Sequence, residues 1–146
     1  MNKEKIAISA CLLGVNFKYN GLNNFNPKLL SLFGRYQILP ICPEVISGMS
    51  IPRYSSEIKN DKVININGED VSEYFILGAK RTYEFLKKNN CKKIILKDGS
   101  PSCGISYIYD GSFSKTRIRG FGYTVKYLKE HFIDVIIING DEEVSL

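Results

Sequence analysis

Short β-branched runs alternate with helical patterns along this chain, and that alternation constrains the fold more than any other feature. Residues 6–10 form a brief apolar run, 36–41 a second, 93–97 a third and 135–138 a fourth. Each has the length and composition of a strand buried on both faces. Between the first two, Asn26 offers an N-cap with Pro27 at the first helical position, and Leu29, Leu30 and Phe33 supply an apolar face before Gly34. Residues 71–89 carry the strongest helical pattern, with Phe75, Ala79, Thr82 and Leu86 at helical intervals and Lys87 and Lys88 at the end. Asp70 and Glu73 have the spacing of a capping box. A further helix is expected over 123–131. Strand, helix, strand, helix, strand, helix, strand implies right-handed crossovers, and so an α/β three-layer, Rossmann-like sandwich with a mostly parallel central sheet. Residues 63–66 alternate and run into Asn67-Gly68, which suggests a small hairpin over an edge.

The 146 residues fit one domain over 1–146, with no internal repeat or linker. No tract approaches the roughly 18 apolar residues of a membrane span. The N-terminus, MNKEKIAISACLLG, imitates a signal peptide, but Ser9 interrupts it and it reads as a first buried strand. A net charge of +5 favours anionic partners, RNA among them, although scattered surface lysines account for much of it. Two stretches lack periodicity, 47–61 and 104–119. The second holds Tyr107, Tyr109, Phe113, Lys115, Arg117 and Arg119, a mixture suited to covering or gripping a ligand.

Four cysteines are too few for a disulfide framework in a chain of this size, and metal or catalytic work by reduced thiols in the cytoplasm is the better expectation. Ligands of parallel sheets bind outside the carboxyl ends of the strands. Cys11 follows the first run, Cys42 the second and Cys103 the third, whereas Cys91 precedes the third and belongs at the opposite edge. Three convergent thiolates need a positive partner. A structural zinc would take a fourth protein ligand, yet the only histidine, His131, falls toward the far edge. An iron–sulfur cluster suits three cysteines with one open position, and Cys42-Pro43 echoes a pair found in cluster-binding runs. Small buried cysteines filling gaps beneath loops are the alternative.

Glu44, two residues past Cys42, is a candidate general acid or base, or else a surface acid in a first helical turn. Ser100 and Ser102 flank Pro101 beside Cys103 and would orient substrate or relay a proton, although the same residues mark a turn. Arg53 is a candidate clamp for an anionic or carbonyl group, against a solvated loop arginine. Gly120-Phe121-Gly122 before a helix suggests an anion cradle or a plain glycine helix start.

The segments ISACLLG, CPEVISGMSIPR, LKDGSPSCG, IYDGSF and GFGYT, taken in order, resemble the bacterial family first catalogued as a domain of unknown function, whose characterised members include thiouracil desulfidases. The likeness spans nearly the whole chain. It implies a desulfidase holding a [4Fe-4S] cluster through Cys11, Cys42 and Cys103, with the fourth iron open to the substrate's sulfur. Glu44 takes the place of the catalytic acid, and Ser100 or Ser102 that of the serine. The substrate implied is a thiolated pyrimidine, thiouracil or thiouridine, or a related thioamide, hydrolysed with release of sulfide and with the cluster acting as Lewis acid, not electron carrier. ISGMSIPR departs from the family's glycine-rich stretch before its PR pair. The rival readings are an RNA-binding or sensor module that uses the centre structurally, and a thiol or zinc hydrolase.

Overall fold

The apolar runs pair as the alternation requires. The computed structural model describes residues 3–142 and 144. Along the chain come β1 (Glu4–Ser9), β2 (Tyr36–Ile41), the one-turn α1 (Pro43–Ile46), β3 (Ser56–Lys59), β4 (Lys62–Asn65), α2 (Ser72–Lys88), β5 (Lys93–Leu96), β6 (Ile108–Tyr109), β7 (Arg117–Ile118), α3 (Tyr123–His131) and β8 (Ile136–Asn139). Strands β2, β1, β5 and β8, in that spatial order, form one parallel sheet. The α/β three-layer sandwich is therefore present.

Strand periodicity sorts the core into two faces. Ala7, Ile94 and Leu96 pack with Leu86 of α2 and Val125 and Leu128 of α3. Ile6, Ile8 and Ile95 pack instead with Leu29 and Leu32 of the segment Pro27–Gly34. The chain steps from β1 outward to β2, then returns past β1 to β5 and β8, so right-handed crossovers put Pro27–Gly34 on one face and α2 and α3 on the other. The direction reverses between β1 and β5, which makes the crevice outside their carboxyl ends the natural ligand site. No helix among the described residues is long and apolar enough to cross a membrane.

Three local expectations are corrected. Pro27–Gly34 is a 3-10 helix, capped as expected by the Asn26 side chain on the Lys28 amide at 3.1 Å. Its three-residue period buries Leu29 and Leu32, leaving Leu30 and Phe33 exposed. The hairpin turns at Asn60 and Asp61, both at positive φ, to pair β3 with β4; Asn67-Gly68 makes a separate turn beyond it. The capping box does not form around Val71, the cap residue of α2. The Asp70 carboxylate accepts from the Ser72 amide at 2.9 Å, while the Ser72 hydroxyl accepts from the Val63 amide at 2.8 Å. The helix start is thereby tied to β4, a tertiary contact that local spacing does not reveal.

Candidate active site

Strands β1, β2 and β5 end on one edge, and each hands the chain to a cysteine. Cys11 lies in the 3-10 turn Ala10–Leu13, Cys42 holds the cap position before α1, and Cys103 sits in the turn after β5. All three line one cavity of about 630 Å³. Cys91 is fully buried in the core under α2 and α3, with its thiol directed at the Lys93 carbonyl 3.3 Å away. His131 stacks on Tyr127 at the end of α3. The sequence's division of three cysteines against one is therefore the structure's as well.

All four cysteines are free thiols. Burial pushes Cys11 above the ordinary thiol range, opposed by the Asn24 amide 3.5 Å from its sulfur and by the charge of Lys97. Cys42 is raised in the same way. Cys103 is raised well above that range, by burial first and then by the neighbouring Cys42 and Glu44. Such thiols are neutral unless a cation compensates them. Among the described residues, no three His, Cys, Asp or Glu side chains converge tightly enough for a single metal ion. One zinc at about 2.3 Å from each sulfur draws its thiolates to within roughly 4 Å of one another. A cluster gives each cysteine a different iron, so its ligand sulfurs stand further apart, and the soft, all-thiol donor set on three separate strand ends fits that group.

The turn that presents Cys103 is fixed from both sides. The Asp98 carboxylate is buried and accepts from the amides of Gly99, Ile105 and Ser106, from the Ser106 hydroxyl and from Asn139. Burial works against its charge, but those donors together hold its pKa below the ordinary carboxylate value. The Cys103 amide donates to Ser100 Oγ at 2.8 Å. From the other side, the amides of Gly122, Tyr123 and Thr124 donate to the carbonyls of Gly104, Pro101 and Ser102 at 2.7–2.9 Å. The first amides of α3 are thus spent on the turn, and no anion cradle forms there. Gly122 is needed for contact: a Cβ would lie 2.4 Å from the carbonyl carbon of Ser102 and 2.6 Å from the Cys103 nitrogen.

Glu44, in the first turn of α1, joins the thiols to a polar chain. Its Oε2 accepts from the Ser102 hydroxyl at 2.7 Å and its Oε1 from Arg53 Nε at 3.0 Å. The pair is well shielded, with side-chain exposures of 6% for Arg53 and 16% for Glu44. Arg53 also donates through Nη2 to the Phe17 carbonyl and through Nη1 to the Ser50 carbonyl. Glu44, Arg53 and Ser100 line the cavity; Ser102 lies beneath it, 1% exposed.

The 104–119 stretch brings Tyr107, Tyr109, Phe113, Lys115 and Arg117 to the cavity wall, without Arg119. Arg117 stacks over the Tyr107 ring at 4.2 Å. Sequence reasoning missed Asn24, Glu57 and Lys97, which also line the cavity. Lys97 directly follows β5, at the edge where the cysteines lie, and this position was a usable signal. Its ammonium reaches Asp141 at 2.7 Å; burial lowers its pKa, but that bond and charge outweigh burial and raise it. Asn24 and Glu57 carry no local signal, because both act through contacts with distant chain.

Residues 6–140 match the family model described as 2-thiouracil desulfurase. Among curated proteins, the uncharacterized protein YbbK of Bacillus subtilis (strain 168) is 36% identical over 144 residues, covering 92% of this chain and 95% of that one. Among solved structures, the [4Fe-4S]-dependent thiouracil desulfidase TudS superposes with a TM-score of 0.85 at 35% identity, covering 95% of this chain and 92% of TudS.

Proposed function

The chain belongs to the 2-thiouracil desulfurase family, and on that premise we propose that it is a [4Fe-4S]-dependent desulfidase that hydrolyses a small thiolated pyrimidine in the reducing cytoplasm. The observation that carries this reading is the meeting, in one cavity, of three thiols from three strand ends with a shielded carboxylate. Cys11, Cys42 and Cys103 would hold the cluster and leave one iron without a protein ligand. What the bound cluster supplies is a soft Lewis acid, with a preference for thiocarbonyl sulfur over oxygen.

The remaining work falls to the chain's own groups. Glu44 takes the proton of the water that adds at the thiocarbonyl carbon, with its two oxygens fixed by Ser102 and Arg53. Ser100 holds the Cys103 turn. Tyr107, Tyr109 and Phe113 give the cavity an aromatic wall for the pyrimidine. The carbon–sulfur bond breaks, a carbonyl forms from water, and sulfur departs as hydrosulfide; no electron is gained or lost overall.

Protein purified without oxygen should be brown, contain iron and acid-labile sulfide in equal amounts, and convert 2-thiouracil to uracil and sulfide. Serine at Cys11, Cys42 or Cys103 should remove the colour, while Cys91→Ser keeps it. Fully loaded protein that turns over neither 2-thiouracil nor 4-thiouridine sinks the reading. The RNA-binding reading draws on the exposed Lys115, Arg117 and Arg119. It predicts salt-dependent RNA affinity without turnover. Two of those three residues line the cavity, which favours the small-molecule reading.

A further inference from the structure

Glu57 stands on β3, in the two-stranded hairpin outside the main sheet, and lines the same cavity as the three thiols. One of its oxygens, Oε1, accepts from two backbone amides more than fifty residues away, Gly111 at 3.0 Å and Phe113 at 3.1 Å. Both belong to the turn joining β6 to β7, whose base is closed by the Asp110 amide on the Thr116 carbonyl at 3.0 Å. That turn puts Phe113 and Lys115 on the cavity wall with φ of 57° and 63°. Two side-chain-bearing residues in the left-handed region persist only where outside contacts hold them. Gly111 supplies a second contact, lying so close to β3 that a Cβ would be 2.6 Å from Lys59 Cβ and 3.0 Å from the Ile58 carbonyl oxygen, at a φ of 91°. A carboxylate and a seated glycine therefore pin this turn to the hairpin by different physics.

We propose that Glu57 is a positioning residue for substrate: by pinning the 110–116 turn to β3 it sets the cavity wall that receives the pyrimidine ring, and so governs affinity, not the chemistry at the thiols. The inference rests on the desulfidase reading for the identity of the ring. Cluster-loaded wild type is compared with Glu57→Ala, Glu57→Gln and Gly111→Ala for hydrogen exchange of residues 110–116, for kcat and KM on 2-thiouracil, for its equilibrium binding, and for iron content. Glu57→Ala, which removes both bonds, and Gly111→Ala, which presses a Cβ against β3, should speed exchange in the turn and raise KM roughly tenfold, with kcat and iron maintained. Glu57→Gln, which retains an uncharged acceptor, should fall between. Unchanged exchange, an unchanged KM, or a KM rise that tracks loss of iron overturns the proposal. Should the loaded wild type bind 2-thiouracil yet turn over neither it nor 4-thiouridine, the desulfidase reading fails alone, and the binding data decide: weaker binding by the variants upholds the role of Glu57 and equal binding overturns it. A wild type that binds neither 2-thiouracil nor 4-thiouridine overturns both, and one that binds only 4-thiouridine is compared with the variants on that substrate.

Discussion

Ser100 and Ser102 flank the same proline, yet they touch different things. Ser100 Oγ accepts the Cys103 amide and so stiffens the turn that carries a ligand thiol. Ser102 donates to the Glu44 carboxylate from beneath the cavity floor. Their alanine variants should therefore fail differently. Ser102→Ala removes a charge-assisted bond worth about 2 kcal/mol and should lower kcat by about 10- to 100-fold with iron content unaltered. Ser100→Ala should loosen the turn at a cost of about 1 kcal/mol and appear first as lost iron. Parallel measurement of kcat and iron per chain separates the two; bleaching by Ser102→Ala with full colour in Ser100→Ala contradicts the assignment. Arg53 holds Glu44 through Nε, and its Nη1 and Nη2 also donate within the protein.

At the scale of elements, α3 acts as a clamp on the Cys103 turn, because three successive amides at its start bond three carbonyls of that turn. Gly122 adopts an ordinary helix-entry backbone, φ −71°, so alanine there meets no torsional strain. The penalty is contact alone, since the new carbon would press on the backbone of Ser102 and Cys103. Gly122→Ala should cost about 1–3 kcal/mol, the range of overpacked sites, and should reduce cluster loading more than a comparable loss of stability elsewhere in α3. Denaturant melts set against iron content check this. The strand ends that carry Cys11, Cys42 and Cys103 were legible in the sequence because buried parallel strands announce themselves by composition, and connectivity then places their carboxyl ends together. The 3-10 form of Pro27–Gly34 was not, because its leucines at 29, 30 and 32 serve either period. The turn at Asn60 and Asp61, the tie from Ser72 to β4, and the roles of Asn24 and Glu57 depend on contacts between distant parts of the chain, and single-sequence patterning carries no trace of them. Asp98, next to Gly99, has locally only the look of a turn residue, although its five donors make it the anchor of the Cys103 loop.

For the whole molecule, the consequence of gathering buried thiols at one edge is a dependence on pH that cluster loading should reverse. Cys11, Cys42 and Cys103 are all held above the ordinary thiol value of 9.0, chiefly by burial. From that value up to the higher folded pKa, the folded cluster-free protein binds more protons than the unfolded chain, so its stability falls as pH rises. The contribution is fully present below about pH 9 and is lost above it. Lys97, raised by its bond to Asp141, acts with the same sign further up the scale. Asp98 acts with the opposite sign: its lowered pKa contributes stability that is present above the ordinary value of 3.8 and lost as pH falls through the folded one. Cluster-free protein should therefore melt highest between these limits, with an alkaline fall to which the three thiols contribute. Ligation removes their protons, so loading releases protons and grows more favourable as pH approaches 9, and the loaded protein should lose the thiol part of its alkaline limb. Thermal melts across pH 5–10 on loaded protein, cluster-free protein and the cluster-free triple variant Cys11→Ser, Cys42→Ser, Cys103→Ser test this directly. The expected order of alkaline sensitivity is cluster-free wild type first, with the triple variant and loaded protein both flatter. A triple variant as alkali-sensitive as the cluster-free wild type would trace the limb to Lys97 and to Cys91, Tyr107 and Tyr123, whose pKa values burial also raises, and would remove the three cavity thiols from the explanation.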